Sequence, residues 1–279
     1  MIYKTYRPCL PLSQFIEFLW YWEEENATEA QSCILPMGSV EWVIDLHEDH
    51  LPIFDLRRQT QCDSTRGARL CGVHSQGFII ARQQKCSVLG VHFKPGGSAA
   101  FLPMPVEEVH NQIISLEDLW QDAGELRERL QWGNTSPSAP SHATITERFQ
   151  ILEQFLLQVM QPQHHHPAVE FALREFERFP QAPVSAVTEQ IGLSPRYFNQ
   201  LFRDYVGLTP KLFCRVRRFQ QVLRLVEGKQ QIDWLDVALA CGYFDQAHLI
   251  HDFRTFADCT PTNYLAKRGA LPFHVELSA

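Results

Sequence analysis

The stretch IGLSPRYFNQLFRDYVGLTP occupies residues 191–210, and the related stretch CGYFDQAHLIHDFRTFADCTP occupies residues 241–261. In each copy a glycine, Gly192 or Gly242, is followed by apolar residues that recur at helical spacing. The offset between the copies is 50 residues at the glycine and 51 at the closing Thr-Pro pair, so the extra residue falls in the turn. The sequence therefore predicts a duplicated structural unit.

Each copy has the parts of a helix-turn-helix. A short helix ends at the glycine, whose backbone readily adopts the left-handed conformation. Ser194 and Asp245 are typical N-cap residues for the second helix. A second helix held in this way fits the major groove of DNA and contacts base edges with its early residues. The two helix-turn-helix units are predicted over 184–206 and 234–257, and the helix that connects them over 209–226.

Side chains that face away from the apolar stripe of each second helix are candidates for contact with DNA. Asn and Gln can form two hydrogen bonds with adenine, and Arg can do so with guanine or hold a phosphate. The candidates are Arg196, Asn199, Gln200 and Arg203 in the first unit, and Gln246, Ala247, Ile250, His251 and Arg254 in the second. Phosphate contacts are predicted for three arginines of the connecting helix, namely Arg215, Arg217 and Arg218. If both second helices lie on one face of the duplex, they enter successive major grooves about 34 Å apart.

Charge is unevenly distributed along the chain. The 279 residues contain 25 Lys and Arg against 32 Asp and Glu, a net charge of −7. Residues 183–268 hold 11 basic and 8 acidic residues, which gives a net charge of +3. The rest of the chain holds 14 basic and 24 acidic residues, which gives a net charge of −10. A mildly basic module is therefore attached to an acidic body, which is weak support for phosphate binding.

The remaining composition favours a cytoplasmic globular protein. No run approaches 18 apolar residues, and the N-terminus is interrupted by two prolines and lacks the apolar core of a secretion signal. The eight cysteines form no CxxC pair, so we expect mostly buried, reduced thiols, with a redox or metal role for one or two of them as the alternative.

The N-terminal half is predicted to be rich in β-structure. Residues 34–47, 77–80 and 87–93 are strand-like runs separated by turn residues, a pattern typical of a sandwich or barrel. The aromatic segment 11–22 fits either a helix or a strand, and short helices are expected over 96–132. We predict a β-rich domain over 1–132 and a helical module over 168–268. The linker between them, 133–167, contains an amphipathic helix at 145–160.

Residues 168–268 resemble the AraC/XylS family of bacterial transcription regulators. The similarity lies in GLSPRYFNQLFRDYVGLTPKLFCRVRRFQ and DVALACGYFDQAHLIHDFRTFADCTPTNYL, which are family-like in order and spacing. It implies two helix-turn-helix units that bind about two turns of DNA, with base contacts from the positions of Arg196, Asn199, Gln200, Gln246, Ala247, Ile250 and His251. Two positions depart from the pattern, because the family often has Arg at position 251 and a small Ala at position 188, where this chain has His251 and Thr188.

The N-terminal half is similar to a DUF6597-like type of effector domain. The residues concerned are YRPCLPLSQFIEFLWYWE, ILPMGSVEWVIDL and LGVHFKPGGSAAFLPMPVEEVHNQIISLEDLW. This similarity implies a small β-barrel followed by short helices, and it implies no defined ligand. The predicted fold class is therefore α+β multidomain, with a small β-barrel-like N-terminal domain and an all-α tandem helix-turn-helix C-terminal domain.

The function predicted from these features is that of a sequence-specific transcription regulator, with no catalytic activity and no cofactor. Its predicted partners are double-stranded DNA and an unknown small-molecule effector, which Glu41, His74 and His92 are candidates to bind. RNA polymerase and a second copy of the chain are further candidate partners, and no membrane partner is expected. The helix at 145–160 fits either pairing of two chains or packing within one.

Two other readings remain open at this point. His47, His74 or His92 would hold a metal if the N-terminal domain were a metal-dependent enzyme or metal sensor fused to a DNA-binding module. The repeated helices would bind protein if the module were a structural interaction domain. For HEDH (47–50) and HHH (164–166), a polar loop and a solvated linker are favoured over a metal site. HFKPGG (92–97) lacks the spacing of a phosphate-binding loop and is predicted to be a turn from a strand into a helix.

Overall fold

The computed structural model describes residues 1–25, 30–47, 50–57, 60–82, 85–132, 143–162, 166–268 and 274–277. The strands are β1 Ile2–Tyr6, β2 Ile16–Glu24, β3 Ala30–Ile34, β4 Glu41–Asp45, β5 His50–Asp55, β6 Gln61–Arg66, β7 Ala68–Cys71, β8 Phe78–Arg82, β9 Cys86–Phe93, β10 Ile113–Ser115 and β11 His274–Leu277. The α-helices are α1 Ala123–Trp132, α2 Ile145–Val159, α3 Pro167–Arg178, α4 Val184–Ile191, α5 Pro195–Val206, α6 Pro210–Val226, α7 Trp234–Ala240, α8 Gln246–Ala257 and α9 Pro261–Lys267. Short 3₁₀ helices occur at Leu12–Gln14, Gly97–Ala100, Val106–Val109 and Leu116–Asp118.

The strands form two antiparallel sheets. Six strands follow the order β1-β2-β9-β4-β7-β10, and five follow the order β11-β3-β8-β5-β6. The expectation of a barrel is therefore wrong in this detail, since the described strands remain in two separate sheets. Alternating apolar and polar residues suit a sandwich and a barrel equally, so the sequence pattern does not distinguish them. The ambiguous segment 11–22 forms the 3₁₀ turn Leu12–Gln14 and most of β2.

Helices cover one face of the six-stranded sheet. Trp42 of β4 is fully buried there, and its ring centroid lies 6.4 Å from that of Phe155 on α2 and 4.8 Å from that of Trp120. The apolar face of α2, which includes Leu152 and Leu156, is buried. The amphipathic helix predicted over 145–160 therefore packs within its own chain. The other face of the same sheet is turned toward the five-stranded sheet.

The C-terminal module consists of helices throughout, and its turns follow the predicted chemistry. Ser194 Oγ accepts a hydrogen bond from the Tyr197 amide, and Asp245 Oδ1 accepts one from the His248 amide. Gly192 has a φ of 74°, which glycine adopts without strain. These caps fix where α5 and α8 begin. None of the helices in the described part of the chain is long and apolar enough to cross a membrane.

Candidate nucleic-acid interface and ligand cavity

Helix α5 buries one face and presents the other outward. Phe198 and Phe202 are fully buried in the module. Arg196 and Gln200 are exposed on the opposite face, and Asn199 is half-buried beside them. The Asn199 side-chain amide donates a hydrogen bond of 2.7 Å to the Pro195 carbonyl, which holds it against the first turn of the helix. The first helix-turn-helix unit thus has the outward polar face that the sequence predicted.

A carboxylate of the N-terminal domain lies against the second half of that outward face. Gln200 Nε2 donates to Glu107 Oε2 at 3.0 Å, and Arg203 Nε lies 3.3 Å from Glu107 Oε1. Gln200 and Arg203 also contact each other, through a hydrogen bond of 2.9 Å. At the end of α5, Gly207 packs closely against Val106 and Val73, and an added Cβ atom would lie only 3.0 Å from the Val106 side chain. The sequence analysis missed this contact, because Glu107 is 93 residues away from Gln200.

Helix α8 has a more open outward face. Gln246, Ala247, His251 and Arg254 are exposed, and Ile250 is half-buried. Among the described residues, no hydrogen bond or ion pair joins the side chains of these five positions to the N-terminal domain. That domain reaches only the C-terminal end of α8, where the Gly77 amide donates a hydrogen bond of 2.9 Å to the Phe256 carbonyl. The predicted base-contacting positions of the second unit therefore face away from the protein.

The three arginines of α6, which the sequence predicts to contact phosphates, also make contacts within the protein. Arg215 Nη2 lies 2.6 Å from Oδ1 of the fully buried Asp252, and this ion pair joins α6 to α8. Arg218 donates to the Gly242 carbonyl and lies over the Tyr243 ring, 5.0 Å from its centroid. Because two residues turn a helix by about 200°, Arg217 points away from Arg215. Arg217 lines a cavity instead, and burial lowers its pKa.

That cavity has a volume of about 1050 Å³ and lies between the two sheets. Helices α3 and α6 close one side of it, through residues that include Leu173 and Phe213. Both halves of the chain thus contribute to one cavity. A cavity of this size is sufficient for a small organic ligand.

The three predicted effector residues, Glu41, His74 and His92, all line this cavity. Glu41 and His92 are in direct contact, with His92 Nδ1 at 2.8 Å from Glu41 Oε1. The His92 ring stacks on Phe18 at 4.9 Å between centroids. His74 lies apart from this pair, beside Phe78. Burial, followed by the nearby His110, lowers the pKa of His74 to about 4, so its ring is neutral at pH 7.

Aromatic side chains form much of the cavity wall. Trp20 lies across β9 at Gly90, where a Cβ atom would come within 2.1 Å of the indole ring. Glycine at this position therefore makes room for the ring inside the cavity. Trp22 and Phe78 add further apolar surface. The alternation of side chains along β2 predicts that Trp20 and Trp22 share one face of the strand. It does not predict that this face lines the cavity.

The metal-binding alternative gains no support from these positions. Within the described ranges, no group of three or more His, Cys, Asp or Glu side chains is placed to hold a metal ion. His166 caps α3, where its Nδ1 accepts a hydrogen bond from the Ala168 amide. Residues 48–49 of HEDH and 164–165 of HHH lie outside the described residues. HFKPGG forms the predicted turn, from β9 into the 3₁₀ helix Gly97–Ala100.

The described cysteines whose pKa values are shifted remain thiols at neutral pH. Burial raises the pKa of Cys33 and Cys71 to about 12, and that of Cys214, Cys241 and Cys259 to about 11. All are free of disulfides. Because burial favours the neutral form of each thiol, these cysteines are not activated as nucleophiles.

Two capped helix pairs on a connecting helix define a tandem helix-turn-helix module. Comparison with known families agrees: residues 187–267 match a helix-turn-helix domain, and residues 4–115 match a domain of unknown function, DUF6597. The chain therefore carries a DUF6597 domain in front of an AraC-type helix-turn-helix domain, and the predicted domain combination is confirmed. The matches to DUF6597 and to the helix-turn-helix domain each cover less than half of the chain.

One curated relative and several solved structures are similar to this chain. The HTH-type transcriptional regulator GlxA of Rhizobium meliloti (strain 1021) is 25% identical over 136 residues, which are 48% of this chain and 38% of that protein. The match thus spans well under half of the length of GlxA. The structure of ToxT from Vibrio cholerae solved at 1.65 Å has 9% identity and a TM-score of 0.48 over 89% of this chain and 98% of that one. A ToxT structure with bound unsaturated fatty acid has 10% identity and a TM-score of 0.46, over 88% of this chain and 93% of that one.

Proposed function

We propose that this protein is a sequence-specific DNA-binding transcription regulator whose α5 and α8 enter successive major grooves. The duplicated helix-turn-helix is the observation that carries this proposal. Each of the two helices is capped at its start, buries an apolar face and presents polar side chains outward. The connecting helix α6 is buried along its apolar side, so it fixes the relative position of the two units.

The base contacts are assigned to the early outward positions of each helix. In α5 these are Arg196, Asn199 and Gln200, which are suited to contacts with guanine and adenine. In α8 they are Gln246, Ala247, Ile250 and His251, of which Ala247 and Ile250 suit the methyl group of thymine. Arg203 and Arg254, one turn later, are assigned to phosphates. Phosphate contacts by Arg215, Arg217 and Arg218 stay a prediction, although each of these arginines also has a contact within the protein.

We assign a regulatory role to the contact between Glu107 and α5. Gln200 and Arg203 cannot contact DNA fully while they hold the Glu107 carboxylate. The carboxylate also occupies the space where a phosphate would pair with Arg203, and like charges repel. The N-terminal domain therefore restrains the first unit, and a ligand in the shared cavity is placed to alter that restraint. In this proposal the protein acts in the cytoplasm and has no catalytic step.

Selection of bound sequences from random double-stranded DNA tests the proposal. We expect enrichment of a site with two motifs about 10 base pairs apart, because successive major grooves have this spacing. Gel shifts on the selected site then compare the wild type with Arg196→Ala/Asn199→Ala, and with Gln221→Ala on the exposed side of α6 as the control. Equal affinity of the wild type for selected and random DNA would contradict the proposal.

The DNA-bound form has two further candidate partners. A second copy of the chain would give a site with repeated halves, and sedimentation of the complex with the selected DNA would show its stoichiometry. RNA polymerase is the other candidate, and transcription in vitro from a promoter that carries the selected site would show whether the protein raises or lowers it.

A further inference from the structure

The turn of the second helix-turn-helix unit is one residue longer than the turn of the first. In the first unit a single residue, Leu193, separates the turn glycine from the residue that caps α5. In the second unit two residues, Tyr243 and Phe244, separate the corresponding glycine from the residue that caps α8. Each cap accepts a hydrogen bond from the amide three residues later, at 3.3 Å in α5 and 2.7 Å in α8. The additional residue is therefore not needed to start the helix.

Of the two turn residues in the second unit, only Tyr243 packs into the module. Tyr243 is 3% exposed, and its ring centroid lies 5.0 Å from that of His248. Phe244 is 87% exposed, the highest value among the large apolar side chains of the described ranges. An apolar residue directly before a cap often packs against the helix that follows, as the half-buried Leu193 does in the first unit. Phe244 does not serve the fold in this way.

Phe244 lies at the end of α8 that we propose contacts base edges. It comes two residues before Gln246, where the helix begins, and three residues before the exposed Ala247. Ala247 and the half-buried Ile250 are the apolar members of the outward face of α8. Phe244 extends this apolar series to the start of the helix, whereas the positions of α5 that correspond to Ala247 and Ile250 carry polar side chains. The second unit is therefore suited to apolar contacts with bases.

The charges beside this turn favour DNA over an apolar protein surface as the partner of Phe244. Arg218 donates a hydrogen bond of 3.3 Å to the carbonyl of Gly242, which belongs to the same turn. No ion pair in the described part of the chain includes Arg218, so its charge can pair with a phosphate. The carboxylate of Asp245, the acid next to Phe244 in the chain, is engaged in the cap of α8. The exposed ring thus lies beside a cation and a helix start, both of which favour an anionic partner.

We propose that the ring of Phe244 contacts the methyl group of a thymine in the major groove, at the edge of the half-site where α8 begins. This inference rests on the proposed function as a DNA-binding regulator, and it adds one residue to the set that determines specificity. Thymine alone among the four bases carries a methyl group on its major-groove edge, and phenylalanine is one of the side chains that contact it. Packing of the ring on that methyl group removes apolar surface from water, which is favourable.

Replacement of thymine by deoxyuridine tests this contact, because the two bases differ only in the methyl group. The probe is the DNA site that the full-length protein selects from random sequences, with each thymine replaced in turn. We expect one position at which the wild type loses about fourfold in affinity, since burial of one methyl-sized group contributes about this much. Phe244→Ala should bind the unmodified site at least as weakly as the wild type binds that deoxyuridine site. It should lose nothing further when the same thymine is replaced.

Phe179→Ala is the matched control, because Phe179 is 48% exposed in the same module but lies outside both helix-turn-helix units. It should respond to every deoxyuridine as the wild type does, and both variants should keep the Tm of the wild type because neither ring is buried. The same deoxyuridine profile in the wild type and in Phe244→Ala would overturn the proposal, and with unchanged affinity it would indicate a protein partner for the ring. A uniform loss of affinity for all sequences in Phe244→Ala would also overturn it. If the wild type selected no site, the proposed function would fail as well, whereas the preceding outcomes concern Phe244 alone.

Discussion

The two helix-turn-helix units come from one duplicated pattern but differ in their surroundings. Helix α5 has Gln200 and Arg203 in contact with Glu107 of the N-terminal domain, whereas the outward side chains of α8 have no such contact among the described residues. The same fold therefore presents one helix whose outward face contacts the N-terminal domain and one whose outward face is open. A regulator built in this way can keep partial contact with DNA through the second unit while the first is controlled.

The interiors of the two units also differ. In the first, Phe202 lies between Phe176 and Phe213, with ring centroids 6.0 and 5.5 Å apart. In the second, the ion pair of Arg215 with the fully buried Asp252 crosses the interior beside the aromatic rings. An aromatic core tolerates small shifts, but a buried ion pair requires its exact partner. The second unit is accordingly the one most sensitive to a single polar substitution.

The largest effect is expected from Arg215→Ala. This change leaves Asp252 buried and unpaired, which should lower the free energy of unfolding by about 3–5 kcal/mol. Urea unfolding measures this loss. Arg254→Ala on the exposed face of α8 is the control, and it should change the free energy by no more than about 0.5 kcal/mol. A loss below about 1 kcal/mol at Arg215 would show that the pair contributes little to the second unit.

A smaller effect, on DNA binding alone, is expected from Asn199→Ala. Loss of one direct base contact should cost about 1–3 kcal/mol on the selected site and relax specificity at one position. Competition gel shifts with single-base variants of that site measure both quantities. If the first unit does not contact bases, the variant will bind every sequence as the wild type does.

Glu107→Gln tests the restraint on α5. The Glu107 and Arg203 side chains are each 36% exposed, and ion pairs of this kind contribute about 0.2–1 kcal/mol. We therefore expect DNA affinity to rise by about 1.5- to 5-fold. Glu108→Gln is the matched control, since Glu108 is exposed and adjacent but makes no contact with α5 among the described hydrogen bonds and ion pairs. Equal gains in both variants would indicate a general charge effect.

The smallest effect is expected at His251, where the related family often has Arg. A histidine near phosphates can gain a proton as the pH falls. If His251 does so on DNA, His251→Arg should strengthen binding more at pH 8 than at pH 6. The salt dependence at pH 8 should steepen by about one unit if the arginine holds one phosphate. An equal gain at both pH values would mean that His251 does not titrate against DNA.

The local features of the fold were predictable from the sequence. Ser194, Asp245 and Gly192 perform the capping and turning that their chemistry favours, because these contacts lie within a few residues along the chain. The amphipathic spacing of α2 and the turn at HFKPGG are likewise local. The contact of Glu107 with α5 and the ion pair of Arg215 with Asp252 depend on residues brought together by the packing of distant segments. No periodicity in the sequence carries that information.

The contacts of the α6 arginines were also not predictable from the sequence. Their clustering in the sequence predicts a cationic patch, and it gives no sign that Arg217 lines the cavity or that Arg215 pairs with Asp252. A charged residue in a sequence is normally expected at the protein surface. Only the folded structure shows whether it has a partner within the protein. Whether the strands form a closed barrel or two separate sheets was likewise not predictable, since alternating apolar and polar residues fit both architectures.

Hydroxyl-radical footprinting of the selected DNA site tests the central claim, that the N-terminal domain restrains α5 and not α8. His251→Ala identifies which half of the site α8 contacts, through reduced protection there. In the wild type, the half contacted by α5 should be protected more weakly than the half contacted by α8. Glu107→Gln should raise protection in the α5 half and leave the α8 half unchanged. Identical protection of both halves in the wild type and in Glu107→Gln would contradict the account.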